Sequence, residues 1–210
     1  MPKFEFHYFD GYGRSEPIRI LMNYKNVEHQ DCRVPFNEWP GTLKEELGGT
    51  ALPVIKFQDG RKFNQAQSIM RYIGMKTGCY PTDPAVAYDN DRICEDWNDY
   101  INVLGGVFFV QEPAAKAAAS ADAWKKLEKF AESLRPFLEK RTTGFIFGEK
   151  LMTADFWVGN ILVTHAMLTD LYGEEPIKGF LTKYPWLEAY GKRFYAENKA
   201  YLERRPKCPF

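Results

Sequence analysis

Hydrophobic and polar residues in the first part of the chain follow the period of short strands. Residues 3–9 alternate and are rich in aromatics, which predicts a half-buried strand, and residues 27–34 can form a second one. Between them, Ser15 and a following proline predict a helix start. The stretch 51–72 reads as two short strands around an Asp-Gly reversal, followed by a helix that begins near Gln65. This part of the chain therefore mixes strands and helices.

After a proline-rich linker at 79–84 the pattern becomes helical. Apolar residues recur at steps of three and four along 93–108 and again along 124–138. Three further helices are predicted, over 155–171, 176–182 and 186–198. Such stripes favour buried helix faces over roles in ligand binding.

These elements divide the chain into two predicted domains. The order strand, helix, strand and then strand, strand, helix is typical of a thioredoxin-like α/β domain, with the first two strands parallel and the last two antiparallel. We assign this domain to residues 1–80 and an all-α helical domain to residues 85–210.

Composition indicates a globular protein and narrows its partners. Of 210 residues, 45% are apolar and 16% aromatic, and 28 basic side chains balance 28 acidic ones. This balance gives no electrostatic support for binding nucleic acid or an anionic membrane. No apolar stretch suits a membrane span, and the charged start of the chain lacks the apolar core of a signal peptide, so we expect a cytoplasmic protein.

The cysteines and histidines are scattered. They form no Cys-x-x-Cys pair and no Cys/His set at ligand spacing, so we expect free thiols, structural histidines and no metal. These residues are Cys32, Cys79, Cys94, Cys208, His7, His29 and His165.

The segment 51–72 has features of a cradle for a small peptide. Pro53 brings no N–H, so the main chain of Leu52 can face an extended guest and pair with it. The helix start near Gln65 offers N–H groups and a positive dipole end to a carboxylate. A buried hairpin followed by a capped helix is the alternative.

The end of the first strand carries a tyrosine where a disulfide oxidoreductase would need a cysteine. Disulfide exchange at this position is therefore excluded. The phenol of Tyr8 can instead donate a hydrogen bond to a bound thiol, which shifts the balance toward thiolate, and the charge of Arg14 can strengthen that donor. A purely structural aromatic residue is the alternative.

Several spaced motifs occur along the chain in the order found in one enzyme family. They are Tyr8, the run Gly13-Arg14-Ser15-Glu16-Pro17-Ile18-Arg19, Trp39, Lys44, Leu52-Pro53-Val54, Gln65, and Ile69 with Arg71-Tyr72. Together they resemble the cytosolic glutathione S-transferases of the tyrosine type. The resemblance is closest to the sigma class, whose members include the glutathione-dependent prostaglandin D synthases, and it implies the glutathione S-transferase fold.

The resemblance implies that the first domain binds glutathione. Tyr8 would be the hydroxyl that activates the thiol, and Arg14 the charge that tunes it. Trp39 and Lys44 would reach the glycine end of the tripeptide.

It also implies roles for the segment 51–72. Leu52 would pair with the cysteinyl backbone, Pro53 would be a cis-proline, and Gln65 would hold the γ-glutamyl group. At the next position the family usually carries Ser or Thr, where this chain has Ala66. We therefore expect weakened glutathione binding, since a lost hydrogen bond to a charged group costs about 1.5–3 kcal/mol.

In the second domain, Asp99 matches an acidic residue that reaches across a homodimer interface toward the glutathione amine; a solvated helix face is the alternative. Asp155 matches a helix-capping aspartate of the family, with Met152 in place of the usual Ser or Thr, so Thr153 is expected to cap one residue later. The expected walls of an apolar cleft for the second substrate are Phe9, Gly13, Ile101, Gly105 and Phe210.

The function implied is transfer of glutathione, activated through Tyr8, to small hydrophobic electrophiles. Glutathione serves as substrate or as cofactor, and no metal is required. A glutathione-dependent isomerase similar to the prostaglandin D synthases, and a non-catalytic structural or ligand-binding relative, are the alternatives.

Overall fold

A computed structural model describes residues 3–39 and 41–208, except for the side chains of 165–167. The chain forms two compact units, Met1–Tyr80 with Asn198–Phe210, and Pro81–Glu197. This division differs from the predicted domains in one respect, because the residues from 198 onward group with the first unit.

The first unit contains a four-stranded sheet in the order β2-β1-β3-β4. Strand β1 is parallel to β2 and antiparallel to β3, which in turn is antiparallel to β4. This mixed sheet confirms the predicted thioredoxin-like topology. The strands are β1 (Phe4–Phe9), β2 (His29–Val34), β3 (Val54–Phe57) and β4 (Lys62–Asn64).

Three helices accompany the sheet: α1 (Glu16–Tyr24), α2 (Thr42–Glu46) and α3 (Ala66–Thr77). Successive residues of a strand point to opposite faces, and on β1 the alternate residues Phe4, Phe6 and Tyr8 are all buried. Glu5 and His7 share the other face of β1, where Glu5 is partly exposed.

The second unit is built from helices. The apolar stripe predicted along 93–108 lies in its core, since Ile93, Trp97, Tyr100 and Leu104 are almost fully buried. No helix among the described residues is long and apolar enough to cross a membrane. The helices are α4 (Pro84–Val107), α5 (Pro113–Leu138), α6 (Thr153–Val163), α7 (His165–Tyr172), α8 (Glu174–Lys183) and α9 (Pro185–Leu202).

The single helix predicted over 155–171 is wrong, because the chain breaks at Thr164 into α6 and α7. The Thr164 hydroxyl donates back to the carbonyl of Asn160, 2.5 Å away. Such back-bonding by a β-branched residue bends a helix, and the apolar periodicity gives no sign of it.

The expected cap of α6 by Thr153 is also wrong. Thr153 is buried inside α6, and its hydroxyl donates to Asn90 of α4 (3.0 Å). The same Asn90 oxygen accepts the N–H of Ala154 (3.0 Å), so the helix start is satisfied by another helix. Asp155 accepts the N–H of Met152 (2.8 Å), which is the half of the capping box that the sequence retains.

Candidate active site

Strand register brings three of the predicted residues to one edge of the sheet. His7 of β1 is paired with Val54 of β3, and Val54 is also paired with Asn64 of β4. The next residues outward are Tyr8 on β1, Pro53 before β3 and Gln65 after β4. Because neighbouring strands are about 4.8 Å apart, these residues form a row across the edge.

Tyr8 is the member of this row that carries a hydroxyl group. It is 9% exposed, and its hydroxyl oxygen accepts a hydrogen bond from the backbone N–H of Arg14 (3.1 Å). An oxygen that accepts in this way still has its own hydrogen to donate. No hydrogen bond from that hydroxyl to another described residue is present, so the hydrogen can serve a ligand.

Burial raises the pKa of the Tyr8 phenol above its ordinary value. The hydrogen bond from the Arg14 N–H and the charges of Arg14 and Arg19 oppose that rise. The phenol is therefore neutral at neutral pH and acts as a donor, not as a base. Arg14 contacts the Tyr8 hydroxyl through its backbone N–H. The sequence analysis had instead expected the side-chain charge of Arg14 to act on Tyr8.

Gly13 makes room for the Tyr8 hydroxyl. Its φ is +37°, and a β-carbon at this position would lie 2.5 Å from the hydroxyl oxygen. Any side chain here would press on the catalytic candidate itself, so glycine is required for steric reasons as well as for its backbone.

Arg19 anchors the loop that carries Gly13, and sequence analysis assigned it no role of its own. It is 1% exposed, and its guanidinium donates to the carbonyl of Gly11 (2.8 Å), to the hydroxyl of Ser15 (2.7 Å) and to Asp31 (2.9 Å). The sequence signal that could have indicated a buried, paired arginine was a charged residue between two isoleucines on an apolar helix. Buried charges of this kind are paired.

The main chain at Leu52 is open to a ligand. The Leu52–Pro53 peptide bond is cis, which confirms the prediction for Pro53. Within the described residues, Leu52 makes no backbone hydrogen bond. Its N–H and C=O can therefore pair with an extended peptide at the edge.

The start of α3 lies beside Leu52 and is not capped by a side chain. Gln65 has a φ of +70°, unusual for a residue other than glycine, and its side chain makes no capping bond to the described helix. This excludes the capped helix of the alternative interpretation. Ala66 is buried at the first helical position, and Ser68 is exposed, so Ser68 does not replace the missing hydroxyl.

Trp39 and Lys44 lie together and next to Phe9. The Lys44 ammonium is 6.0 Å from the centroid of the Trp39 ring. The Trp39 ring meets the Phe9 ring edge-on, with 6.0 Å between the ring centroids. The Phe9 ring stacks on that of Phe36, with 4.4 Å between the centroids. Phe9 is thus part of an aromatic cluster that follows directly after Tyr8.

Comparison with known proteins identifies the family. No protein-family model matches the chain. A protein named glutathione S-transferase 2 from Manduca sexta is 30% identical over 213 residues and covers all of both chains. The chain belongs to the glutathione S-transferase family. S-crystallin SL11 of Nototodarus sloanii is 27% identical to this family member over 221 residues, again over the full length of both.

The fold of this glutathione S-transferase is also that of solved structures. The structure of prostaglandin synthase D of Nilaparvata lugens matches with a TM-score of 0.81 and 23% identity, covering 98% of this chain and 100% of that one. At this identity the match shows the fold alone.

The remaining site predictions for this glutathione S-transferase fall outside the first unit or outside the described residues. Asp99 lies on α4, is 69% exposed and approaches Lys126 at 3.7 Å. Ile101 and Gly105, four residues apart, share one face of the same helix. Phe210 lies outside the described residues.

Proposed function

We propose that this protein is a glutathione transferase in which the Tyr8 phenol donates a hydrogen bond to the thiolate of bound glutathione. The thiol proton passes to solvent, and the thiolate then forms a carbon–sulfur bond to a small hydrophobic electrophile, with release of halide when the electrophile is an aryl halide. The observation that carries the proposal is the Tyr8 hydroxyl, held by the Arg14 N–H (3.1 Å) with its own hydrogen still available.

The energetic role of Tyr8 is to favour the thiolate. A free thiol has a pKa of about 8.5, so only a small fraction is ionised at neutral pH. Each unit by which the bound thiol's pKa falls corresponds to about 1.4 kcal/mol of preference for the thiolate. Proximity to the electrophile supplies the rest of the rate.

Around Tyr8, the edge of the sheet supports binding of the whole tripeptide. The main chain of Leu52 pairs with the cysteinyl unit, and Gln65 with the start of α3 receives the γ-glutamyl group. Trp39 and Lys44, which lie together, meet the glycine carboxylate. The backbone N–H of Ala66 remains at the helix start, but the absence of a side-chain hydroxyl at this position weakens glutathione binding by about ten- to a hundredfold.

The electrophile binds against apolar residues, and Phe9 and Gly13 are the candidates in the first unit. We further propose a cytoplasmic homodimer of the sigma class, in which Asp99 reaches the glutathione amine of its partner. Its exposed carboxylate on α4 supports this role.

Tyr8→Phe tests the assignment. The variant should raise the pKa of the bound thiol, measured from thiolate absorbance, and should lower conjugation of a generic aryl halide at neutral pH. Tyr88→Phe is a matched control, because Tyr88 is exposed on α4 and loses the same hydroxyl. A rate for Tyr8→Phe equal to that of the control would refute the assignment.

A second candidate is a non-catalytic relative of the family. The absent hydroxyl at Ala66 and the full-length similarity to S-crystallin SL11 favour it. Loss of both retention on immobilised glutathione and turnover of the aryl halide would support this candidate. Turnover of a lipid endoperoxide to an isomerised product, without consumption of glutathione, would instead support the isomerase.

A further inference from the structure

Strand pairing brings three metal-ligating side chains together on the sheet face opposite Tyr8. Glu5 and His7 are two residues apart on β1, so they share a face, and Cys32 of β2 is the direct partner of His7. The carboxylate, imidazole and thiol ligand atoms all lie within 4.8 Å of one another. No motif in the sequence reveals this set, because Cys32 is on a different strand.

The imidazole of His7 is only partly satisfied by the protein. The residue is 7% exposed, and its Nε2 lies 2.9 Å from the Glu5 carboxylate. Its Nδ1 is buried and has no hydrogen-bond partner among the described residues. A buried polar atom without a partner costs free energy, so the protein by itself leaves this imidazole one hydrogen bond short.

We propose that Glu5, His7 and Cys32 bind one zinc ion. Zinc takes nitrogen, sulfur and oxygen ligands at about 2.0–2.3 Å, and sites with three protein ligands keep a fourth position for water. With these bond lengths, tetrahedral ligand atoms are about 3.3–3.6 Å apart. All three ligand atoms lie within 4.8 Å of one another, so rotations of the partly exposed Glu5 and Cys32 side chains bring them to that spacing.

Charge explains how the ion would be held. Zinc binding releases the proton of the Cys32 thiol to solvent, because the ligand is the thiolate. The Glu5 carboxylate favours a divalent cation, whereas the Asp31 carboxylate is already paired with Arg19 (2.9 Å) and Arg33 (3.0 Å). Lys56 competes with the divalent cation, since its ammonium lies 3.6 Å from the Glu5 carboxylate.

The site is separate from the chemistry at Tyr8. Glu5 and His7 alternate along β1 with Phe6 and Tyr8, which point to the other face. We therefore assign the ion to stabilisation of the β1–β2 pair, and conjugation does not depend on it.

Titration with Co²⁺ tests the site, because a thiolate ligand gives cobalt a characteristic charge-transfer absorption. We expect one Co²⁺ per chain, displaced by Zn²⁺, and loss of the absorption with at least tenfold weaker Zn²⁺ binding in Cys32→Ser. Cys208→Ser is the matched control, since Cys208 is also partly exposed but lies outside the set. It should bind as the wild type does.

Lys56→Met provides a second variant that leaves all three ligands in place. Removal of the competing ammonium should tighten Zn²⁺ binding several-fold, read by calorimetry. The proposal is overturned by any of three results: no saturable binding to the wild type, absorption retained in Cys32→Ser, or equal losses in Cys32→Ser and Cys208→Ser. Circular dichroism of each variant shows that it is folded.

Discussion

Replacement of Gly13 by alanine tests directly whether the geometry around Tyr8 matters. The new β-carbon would lie 2.5 Å from the Tyr8 oxygen, whereas real β-carbons essentially never approach another atom closer than 3.0 Å. The loop and the hydroxyl must therefore separate by at least about 0.5 Å. This moves the one group that the proposed chemistry depends on.

The magnitude follows from the hydrogen bond that holds the hydroxyl. A separation of 0.5 Å stretches the 3.1 Å contact between Arg14 and Tyr8 to about 3.6 Å, where it no longer counts as a hydrogen bond. Its loss costs about 0.5–1.5 kcal/mol, and a displacement of this size at a reacting group costs up to about a hundredfold in rate. We expect kcat/KM for an aryl halide to fall ten- to a hundredfold in Gly13→Ala.

The control for this experiment is Gly60→Ala. Gly60 also has a positive φ (+86°), but a β-carbon there meets no atom within 4 Å, so the variant carries only the conformational cost. Steady-state kinetics and urea unfolding should be measured for both. The reasoning is refuted if Gly13→Ala keeps kcat/KM within twofold of the wild type, or if both variants lose the same amount.

Three further changes test other parts of the structure. Arg19→Met should lower the free energy of unfolding by about 1.5–3 kcal/mol in urea, since it removes the charged hydrogen bonds to Gly11, Ser15 and Asp31, whereas Glu16 keeps Arg205 (2.9 Å) and Asp31 keeps Arg33 (3.0 Å); a loss below about 1 kcal/mol would contradict this. Burial raises the pKa of Asp155 to about 6, above its unfolded value of about 3.9, so the folded state holds this proton more tightly. The stability gained from that proton is present below the unfolded pKa and is lost as pH rises through about 6, and the total loss is about 3 kcal/mol. Asp155→Asn should remove this pH dependence of the free energy of unfolding. An unchanged pH dependence would assign it to another group. Ala66→Ser should tighten glutathione binding about tenfold, measured by calorimetry. An unchanged Kd would mean that the side chain at this position does not contact the γ-glutamyl group.

Much of the fold could be predicted because its signals are local. Alternation along 3–9, the Asp-Gly reversal in 51–72 and the apolar stripe along 93–108 depend on neighbours a few residues away. The free cysteines and the cis bond before Pro53 were also predicted correctly, the first from spacing and the second from the family motif.

At Thr153 and Arg19 a residue remote in sequence decides the local contacts, whereas the break at Thr164 comes from one local side-chain bond. Thr153 was expected to cap α6, but Asn90, more than sixty residues earlier, takes both its hydroxyl and the next N–H. The break at Thr164 depends on one side-chain bond that periodicity does not encode. Arg19 was part of a motif, yet its role depends on Gly11 and Asp31.

The sequence by itself determined the order of the elements, the family and the identity of the candidate donor, Tyr8, because these depend on spacing and residue type. Tertiary structure decided how that donor is held. Only the folded chain shows that the Arg14 N–H meets the hydroxyl and that Gly13 leaves room for it. Likewise, the pairing of His7 with Cys32 exists only because β1 and β2 are neighbours, since hydrogen bonds between strands join residues that are remote in sequence.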